Sequence, residues 1–524
     1  MSMRSGIFGL IKGECHNIGC SEITKRTQKV IKTNNSILHG TWLEELKHPV
    51  DELLRNPEKF NTIEGPVQGC HFDSKSSVLT LHVDFARQHP VFYYSSGELF
   101  AFAHSLEKLT NLLKENDVTI KTDENGASFL LSYASILGDL TIVKGVRKLM
   151  PGHSLVYAKG NLKIINRDNL QSIDRTITNK SEAIDMLDVA FYRATDALVK
   201  TNYTINADQI NLLSGGIDSR LVFMQTIKSA KNINTLCFSA KGYLDHKISK
   251  QISSDFKANY NFCDLNPGNY VMCTDSVEDY DGTINYLASA HHKYALKNFT
   301  NQGIIASGQL GNEILAEFYS PNNNLIYTLD SISTMKGVGV DAKEIWNKTP
   351  ESTLFKLYNR GFLYTNSAAY STVNGTLYSP FTSREFVRTA LQLHPSLLKN
   401  HFIYLEWMKA KYPEAMRYNW ERYRTKPVGG VSLKLAKLKM SILTSFMYPL
   451  SKFRSTSMSP LQYWFNESQE LQQFFKNTFL DNMEQLDSVP SLASFVKQNY
   501  GSMNITNKAS VLTLLLALKK YVNS

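Results

Sequence analysis

Apolar and polar positions alternate from Val78 to Phe85 (VLTLHVDF), the period of a half-buried strand. Shorter runs of the same kind follow. Val91 to Tyr94 comes after a proline, Gly97 opens Leu99 to Phe102, and Ser154 to Tyr157 turns through Lys159-Gly160-Asn161 into Leu162 to Ile165. Residues 1 to about 170 therefore predict stacked antiparallel hairpins with a few helices. At Lys180 the period changes. Ser181 to Val199 places Ile184, Leu187, Phe191, Ala194 and Leu198 on one face, and Ser181 and Glu182 suit a helix start. An apolar strand at Ile210 to Leu213, a glycine turn, a helix from about Arg220 and a strand at Thr235 to Ser239 predict a parallel α/β unit. Beyond residue 430, Leu461 to Phe465, Leu471 to Leu480, Leu492 to Gln498 and Val511 to Tyr521 predict short amphipathic helices. No internal repeat is visible.

A length of 524 residues implies two or more domains. The boundaries fall at 1–170, 180–430 and 431–524, the last a helical C-terminal extension. Apolar residues at 43% and charged residues at 20% exclude wholesale disorder. No apolar run approaches the roughly 18 residues of a membrane span. The N-terminus offers only Gly6 to Ile11, too short for a signal-peptide core, so a cytoplasmic protein is expected. Cysteines 15, 20, 70, 237, 263 and 273 contain no C-x-x-C pair, which disfavours a disulfide framework or a zinc site.

The net charge of +10 is concentrated. Lys409 to Arg454 holds eleven basic residues against Glu414 and Glu421. Such a stretch attracts nucleic acid, anionic lipid or a phosphate-bearing ligand, and a solubilising rim around a nucleotide pocket is the simplest reading. Leu433 to Phe453 is compatible with a membrane-surface helix, although a helix packed on the body is expected.

The chemistry concentrates in Leu212-Leu-Ser-Gly-Gly-Ile-Asp-Ser219, which leaves a buried strand and enters a helix. Free backbone N–H groups and the helix dipole make such a junction an anion site. Gly215 and Gly216 admit a phosphate close to the backbone, and Ser214 and Ser219 add hydroxyl donors. Asp218 would repel a phosphate unless a cation lay between them, so it suits a Mg²⁺ ligand. A plain strand-to-helix turn that uses the same residues for bending and capping is the competing reading.

Ser214-Gly-Gly-Ile-Asp-Ser219 resembles the pyrophosphatase loop of ATP-dependent adenylating enzymes, and lacks the lysine of a Walker A loop. Its context resembles the asparagine synthetase superfamily, in which a class II glutaminase domain precedes a synthetase domain. Ser5-Gly-Ile-Phe-Gly9 is similar to the Cys-Gly-Ile-Phe-Gly start of that family. Asp84 to Tyr94 resembles its D-R-x-G-x-x-P-L-Y-Y segment, and Leu149-Met-Pro-Gly-His153 its L-P-P-G-H turn. Ser307-Gly-Gln-Leu-Gly-Asn-Glu313 resembles the second signature, S-G-E-G-x-D-E, and Ser379-Pro-Phe381 the R-x-P-F, with Tyr378 in place of the Arg. The likeness spans about residues 5 to 430.

The resemblance implies an α/β and α+β fold: a four-layer α-β-β-α glutaminase-like domain, then a parallel-sheet adenylating domain with a helical C-terminal part. It implies ATP and Mg²⁺, with Leu213, Ser214, Gly215, Gly216, Ser219, Ser239 and Gly308 around the nucleotide. Phe238-Ser239 would hold adenine through backbone contacts. Asp218, Asn312 and Glu313 would hold the metal. The implied reaction adenylates a small-molecule carboxylate, by default aspartate, and passes the acyl group to ammonia or another amine. Asp245 and Asp281 to Thr283 would shape the acceptor pocket.

Several positions depart from the family. Ser5 replaces the nucleophilic cysteine and is not N-terminal, and the Asn-Gly-Glu string that holds glutamine is absent from the first domain, so loss of glutaminase activity is expected. Gln309, Leu310 and Asn312 replace Glu, Gly and the second metal-binding Asp. The family lysine that steadies the pentavalent phosphate falls nearest His401, with Lys399 two residues away and Lys426 a third candidate. His291-His292 reads as a helix-surface pair. A nucleotide-binding scaffold and a tRNA-modifying enzyme are the alternatives. Nucleic acid is not an expected partner, and a homodimer is left open.

Overall fold

The computed structural model describes residues 5–13, 15–21, 27–299, 302–371, 376–427, 429, 435–436, 438–443 and 457–524. The N-terminal hairpins form two antiparallel sheets. One has the order β2-β1-β8-β7-β9: β1 (Ile7–Lys12), β2 (Cys15–Cys20), β7 (Phe92–Ser96), β8 (Leu99–Ala103) and β9 (Arg147–Lys148). The other has the order β11-β10-β6-β5-β4-β3: β3 (Lys29–Lys32), β4 (Ser36–Gly40), β5 (Val67–Asp73), β6 (Val78–Val83), β10 (His153–Ala158) and β11 (Asn161–Asn166). Ile7 and Phe102 of the first sheet and Leu81 and Leu155 of the second share one buried cluster, so the sheets stack face to face. Helix Leu106–Lys114 covers the outer face of one sheet and helix Val50–Arg55 that of the other. The helix–sheet–sheet–helix layering follows from the alternation along each strand.

Helix Lys180–Thr204 begins on Asn179, whose side chain accepts the Glu182 N–H. Its predicted apolar face is buried. It leads into a wholly parallel sheet of order β14-β13-β12-β15-β16, built from β12 (Asp208–Leu212), β13 (Ile233–Ser239), β14 (Asn259–Asp264), β15 (Gln302–Ala306) and β16 (Thr376–Tyr378). The chain moves outward from β12 to β14 and then returns to the other side of β12. The strand order therefore reverses between β12 and β15, and a crevice opens there beyond their carboxyl ends.

The C-terminal helices are not an appendage. Helix Ile505–Tyr521 packs on the N-terminal helices Leu106–Lys114 and Glu124–Tyr133 and on the Ser276–Asp279 turn. One buried cluster unites Leu109, Leu130, Tyr286, Phe355, Leu514 and Leu518. The expected extension is thus part of a core shared along the whole chain. Its sequence periodicity predicted the helices, but a pattern of apolar residues does not name the surface they cover. Gly282 allows that approach, since a Cβ there would sit 2.4 Å from the Ala517 Cβ.

The expected helix over Leu433 to Phe453 lies largely outside the described residues. Where it is described, between 435 and 443, it is helical, yet Leu435 is 61% and Leu438 59% exposed. That part is not packed on the body as expected. Among the described residues no helix is long and apolar enough to cross a membrane.

Candidate functional site

The loop Ser214–Gly216 leaves β12 and enters helix Ile217–Thr226, at the strand reversal. The loop closes on itself. Ser219 Oγ accepts the Ser214 N–H at 3.1 Å, and the two hydroxyls meet at 3.0 Å. Ser214 Oγ also accepts the Gly216 N–H at 3.1 Å. From β15 the segment Ser307–Gln309 crosses this junction so closely that a Cβ on Gly308 would lie 2.2 Å from Ser219 N. Only glycine fits there. The two signature stretches thus form the two lips of one crevice of about 210 Å³, lined by Leu213, Ser214, Gly216, Asp218, Ser219, Ser307, Gly308 and Gln309 among others.

Arg220 fixes the loop from behind. Its guanidinium is fully buried and donates to the carbonyls of Gly215 (3.0 Å), Ala415 (2.8 Å), Tyr418 (3.1 Å) and Asn419 (2.7 Å). Gly215 therefore faces inward rather than into the crevice. Its N–H donates to Asp245 Oδ1 at 2.6 Å, and a Cβ would lie 2.7 Å from the Glu421 Cβ. This corrects two expectations. Gly215 offers no free amide to a phosphate, and Asp245 supports the loop instead of shaping an acceptor pocket. Burial pushes the Glu421 carboxyl up to about 7, and Asp245 adds to the push.

Asp218 occupies the floor. It accepts a hydrogen bond from the Tyr404 hydroxyl. Burial, and then the neighbouring Glu313, drive its carboxyl well above the usual range, and Glu313 is raised by burial as well. Asn312 Nδ2 donates to Glu317 at 2.7 Å, and Glu317 pairs with Arg422. The Asn312 Oδ1 and Gln309 Oε1 atoms are buried with no hydrogen-bond partner among the described residues. Two repelling carboxylates beside an unpaired amide oxygen form a hard-oxygen donor set that suits Mg²⁺ with water in its remaining positions. Among the described residues no group of three or more His, Cys, Asp and Glu forms a denser metal cage. Leu310 holds φ +69°, the left-handed region that glycine adopts freely and that costs other residues about 1–2 kcal/mol.

The far wall is aromatic. Phe238 lies 5.1 Å from both the His291 and His292 rings, and all three line the crevice. The surface reading of the two histidines is corrected: both line the crevice, and burial pushes His291 down to about 4 and His292 well below its usual value. Ser239 is fully buried behind Phe238, with its hydroxyl on the Ala240 carbonyl at 3.2 Å. Met458 closes the wall, held by the Ala240 N–H to Met458 carbonyl bond of 2.7 Å. Asp281 is drawn elsewhere and accepts the Leu106 N–H at 2.8 Å, tying the first domain to the second.

Lys399 and Lys426 are exposed, and neither lines the crevice. His401 is buried edge-on against Trp420, with ring centres 5.4 Å apart. The turn Lys399–His401 packs on helix Glu313–Glu317 without reaching the crevice wall. Sequence reasoning missed Arg220, Tyr404 and Met458. A charged residue in the otherwise apolar helix RLVFM was the one local signal, and it marked Arg220.

Around Ser5, buried side chains hydrogen-bond to one another. Ser5 Oγ donates to Gln28 Oε1 at 2.8 Å and meets His39 Nε2 at 3.1 Å. His89 Nε2 meets the Tyr370 hydroxyl at 2.6 Å, and its Nδ1 lies 3.3 Å from Gln68 Nε2. Comparison with protein-family models and with curated proteins gave no match for this chain.

Proposed function

We propose that the chain is an ATP- and Mg²⁺-dependent amide-forming ligase of the asparagine synthetase kind, which adenylates a carboxylate and transfers the acyl group to ammonia or another amine. One observation carries this reading: two stretches far apart in sequence, Ser214–Ser219 and Ser307–Gln309, line one crevice at the strand reversal over Asp218, whose carboxyl is raised by burial and by Glu313 from behind the wall. The left-handed Leu310, where the resembled signature has glycine, supports the same reading.

In this mechanism the N–H groups at the start of helix Ile217–Thr226 and the Ser214 and Ser219 hydroxyls bind the pyrophosphate. Asp218, Asn312 and Glu313 would hold Mg²⁺, which supplies charge neutralisation for the phosphates. Phe238, His291 and His292 offer a flat, neutral wall to the base. A carboxylate oxygen attacks the α-phosphorus and pyrophosphate leaves; the amine nitrogen then attacks the acyl carbon and AMP leaves. Aspartate is the default acceptor by resemblance. Ser5, whose proton is committed to Gln28, does not supply ammonia from glutamine.

A nucleotide-binding scaffold is the second reading, favoured by the lack of any Lys or Arg among the described residues that line the crevice. The test is release of AMP and pyrophosphate from Mg-ATP with aspartate, with ammonia or glutamine as nitrogen source. AMP with ammonia, none with glutamine and none from Asp218→Ala is the expected result. ATP binding without AMP across a panel of carboxylates and amines would replace the ligase with the scaffold.

A further inference from the structure

A second cavity, of about 310 Å³, opens away from the crevice, where the β7, β10 and β11 strands meet the segment from Ile345 to Asn359. That volume is in the range of small-molecule sites. Its lining is mainly apolar, with Leu149, Met150, Ile164 and Ile345 prominent. Among the polar residues of the lining, Lys148, Asp139, Tyr93, Tyr358 and His153 are distinctive. Lys148 is 3% exposed, and its Nζ donates to the Ile136 carbonyl at 2.7 Å. No carboxylate of the described residues lies within ion-pair distance of it. Asp139, which also lines the cavity, is engaged by Lys348 at 3.1 Å and by Arg147 at 3.8 Å. The Tyr93 and Tyr358 hydroxyls line the cavity with no hydrogen-bond partner among the described residues. His153 Nδ1–H donates to the Pro151 carbonyl at 2.8 Å, which leaves Nε2 as a bare acceptor.

A buried amine is costly to charge, and Asp139, the carboxylate that acts on Lys148, is already held by Lys348 and Arg147, so a matching anion lowers that cost. We propose that this cavity is a second ligand site, separate from the nucleotide crevice, for a small monocarboxylate with an apolar body. Lys148 receives the carboxylate, the two phenol hydroxyls are further donors, and Leu149 and Ile345 cover the hydrocarbon. Burial holds the Lys148 amine well below its usual value, Arg87 adds to the effect, and Asp139 opposes it only in part. An arriving carboxylate restores its charge.

The probe is hexanoate, followed by saturation-transfer NMR on the full chain without ATP, with hexanol as the uncharged control. Hexanoate is expected to bind more tightly than hexanol. Lys148→Met should weaken hexanoate about tenfold or more, the scale of a lost charge-assisted bond, and leave hexanol bound. Thr349→Phe, which fills the cavity from its rim, should weaken both. Asp218→Ala should change neither, which separates this site from the crevice. Absence of hexanoate binding overturns the proposal. So does equal binding of hexanoate and hexanol, or hexanoate binding unaltered by both Lys148→Met and Thr349→Phe.

Discussion

Two polar clusters lie in this chain, and they are organised in opposite ways. Around Ser5, side chains hydrogen-bond to one another: the hydroxyl donates to Gln28 and meets His39, and Tyr370 meets His89, while Gln68 Oε1 is buried with no partner among the described residues. Around Asp218 the groups are left in tension. Burial and then Glu313 raise the Asp218 carboxyl, burial and Glu317 raise that of Glu313, and the Asn312 and Gln309 amide oxygens have no partner among the described residues. Buried polar groups left unpaired cost about 1–3 kcal/mol each, so a fold retains them where a bound species repays the cost. The difference therefore lies in charge: neutral side chains fill the surroundings of Ser5, whereas two carboxyls are buried together at Asp218 and Glu313.

The largest effect expected falls on the tense cluster. Asp218→Ala should lower AMP formation by about 10³-fold or more, the scale of removing a group that stabilises developing charge, while the melting temperature in the absence of Mg²⁺ holds or rises because the repulsion with Glu313 is gone. Thermal unfolding beside a turnover assay reads both; a large loss of stability would make Asp218 a structural residue and erase the contrast. Arg220→Met comes next. It strands four backbone carbonyls behind the loop and should cost about 3–4 kcal/mol, read from the urea midpoint. A cost under about 1 kcal/mol would mean the loop holds its shape without that brace.

What the sequence disclosed follows the same division. The glycine loop was legible because its chemistry is local: a strand, two glycines, Asp218 and Ser219 are consecutive, and each has a physical role at a strand-to-helix junction. The second signature could be recognised by likeness, but its drift at Leu310 is understood only through the backbone, which keeps φ +69°. Asp245, Tyr404, Met458, the half-buried His291 and the buried His292 reach the site through space, and no spacing rule joins them to Gly215 or Phe238. Counting back from Lys-Tyr-Pro413 placed His401 and Lys399 near catalysis. The left-handed Asn400 and His401 turn the chain so that His401 meets Trp420.

A third carboxylate shows that a raised pKa alone does not mark the poised site. Glu64 accepts the Tyr378 hydroxyl at 2.8 Å, and burial pushes it from 4.5 to about 7. The folded chain keeps that proton through a range in which the unfolded chain has lost it. Stability is therefore full below about 4.5 and declines as pH rises toward about 7. Allowing for partial exposure, the loss is about 2 kcal/mol. Glu64→Gln, which retains the acceptor for Tyr378, should remove that part of the decline and be the more stable form at pH 8. Urea midpoints at pH 5 and pH 8 decide it, and identical pH slopes in both proteins would refute the assignment. Added Mg²⁺ should leave the Glu64 contribution untouched, unlike that of Asp218.

The smallest effect belongs to Ser5, and it bears most directly on the contrast. If only the nucleophile had been lost, Ser5→Cys would return glutamate release from glutamine. The surroundings argue otherwise. Gln28, His39, Gln68, His89 and Tyr370 are all nearly fully buried around this position, and a Cβ on Gly6 would lie 2.0 Å from Gln68 Nε2 and 2.5 Å from the His104 Cβ. A thiol is a weaker hydrogen-bond donor than a hydroxyl, so Ser5→Cys should cost about 1 kcal/mol and yield no glutamate. Opening space with Gln28→Ala in the same background should still yield none, because His39, Gln68, His89 and Tyr370 stay packed around the position. Glutamate from either variant would mean that the pocket is retained behind these side chains, and that the cluster around Ser5 is a closed site rather than a converted one.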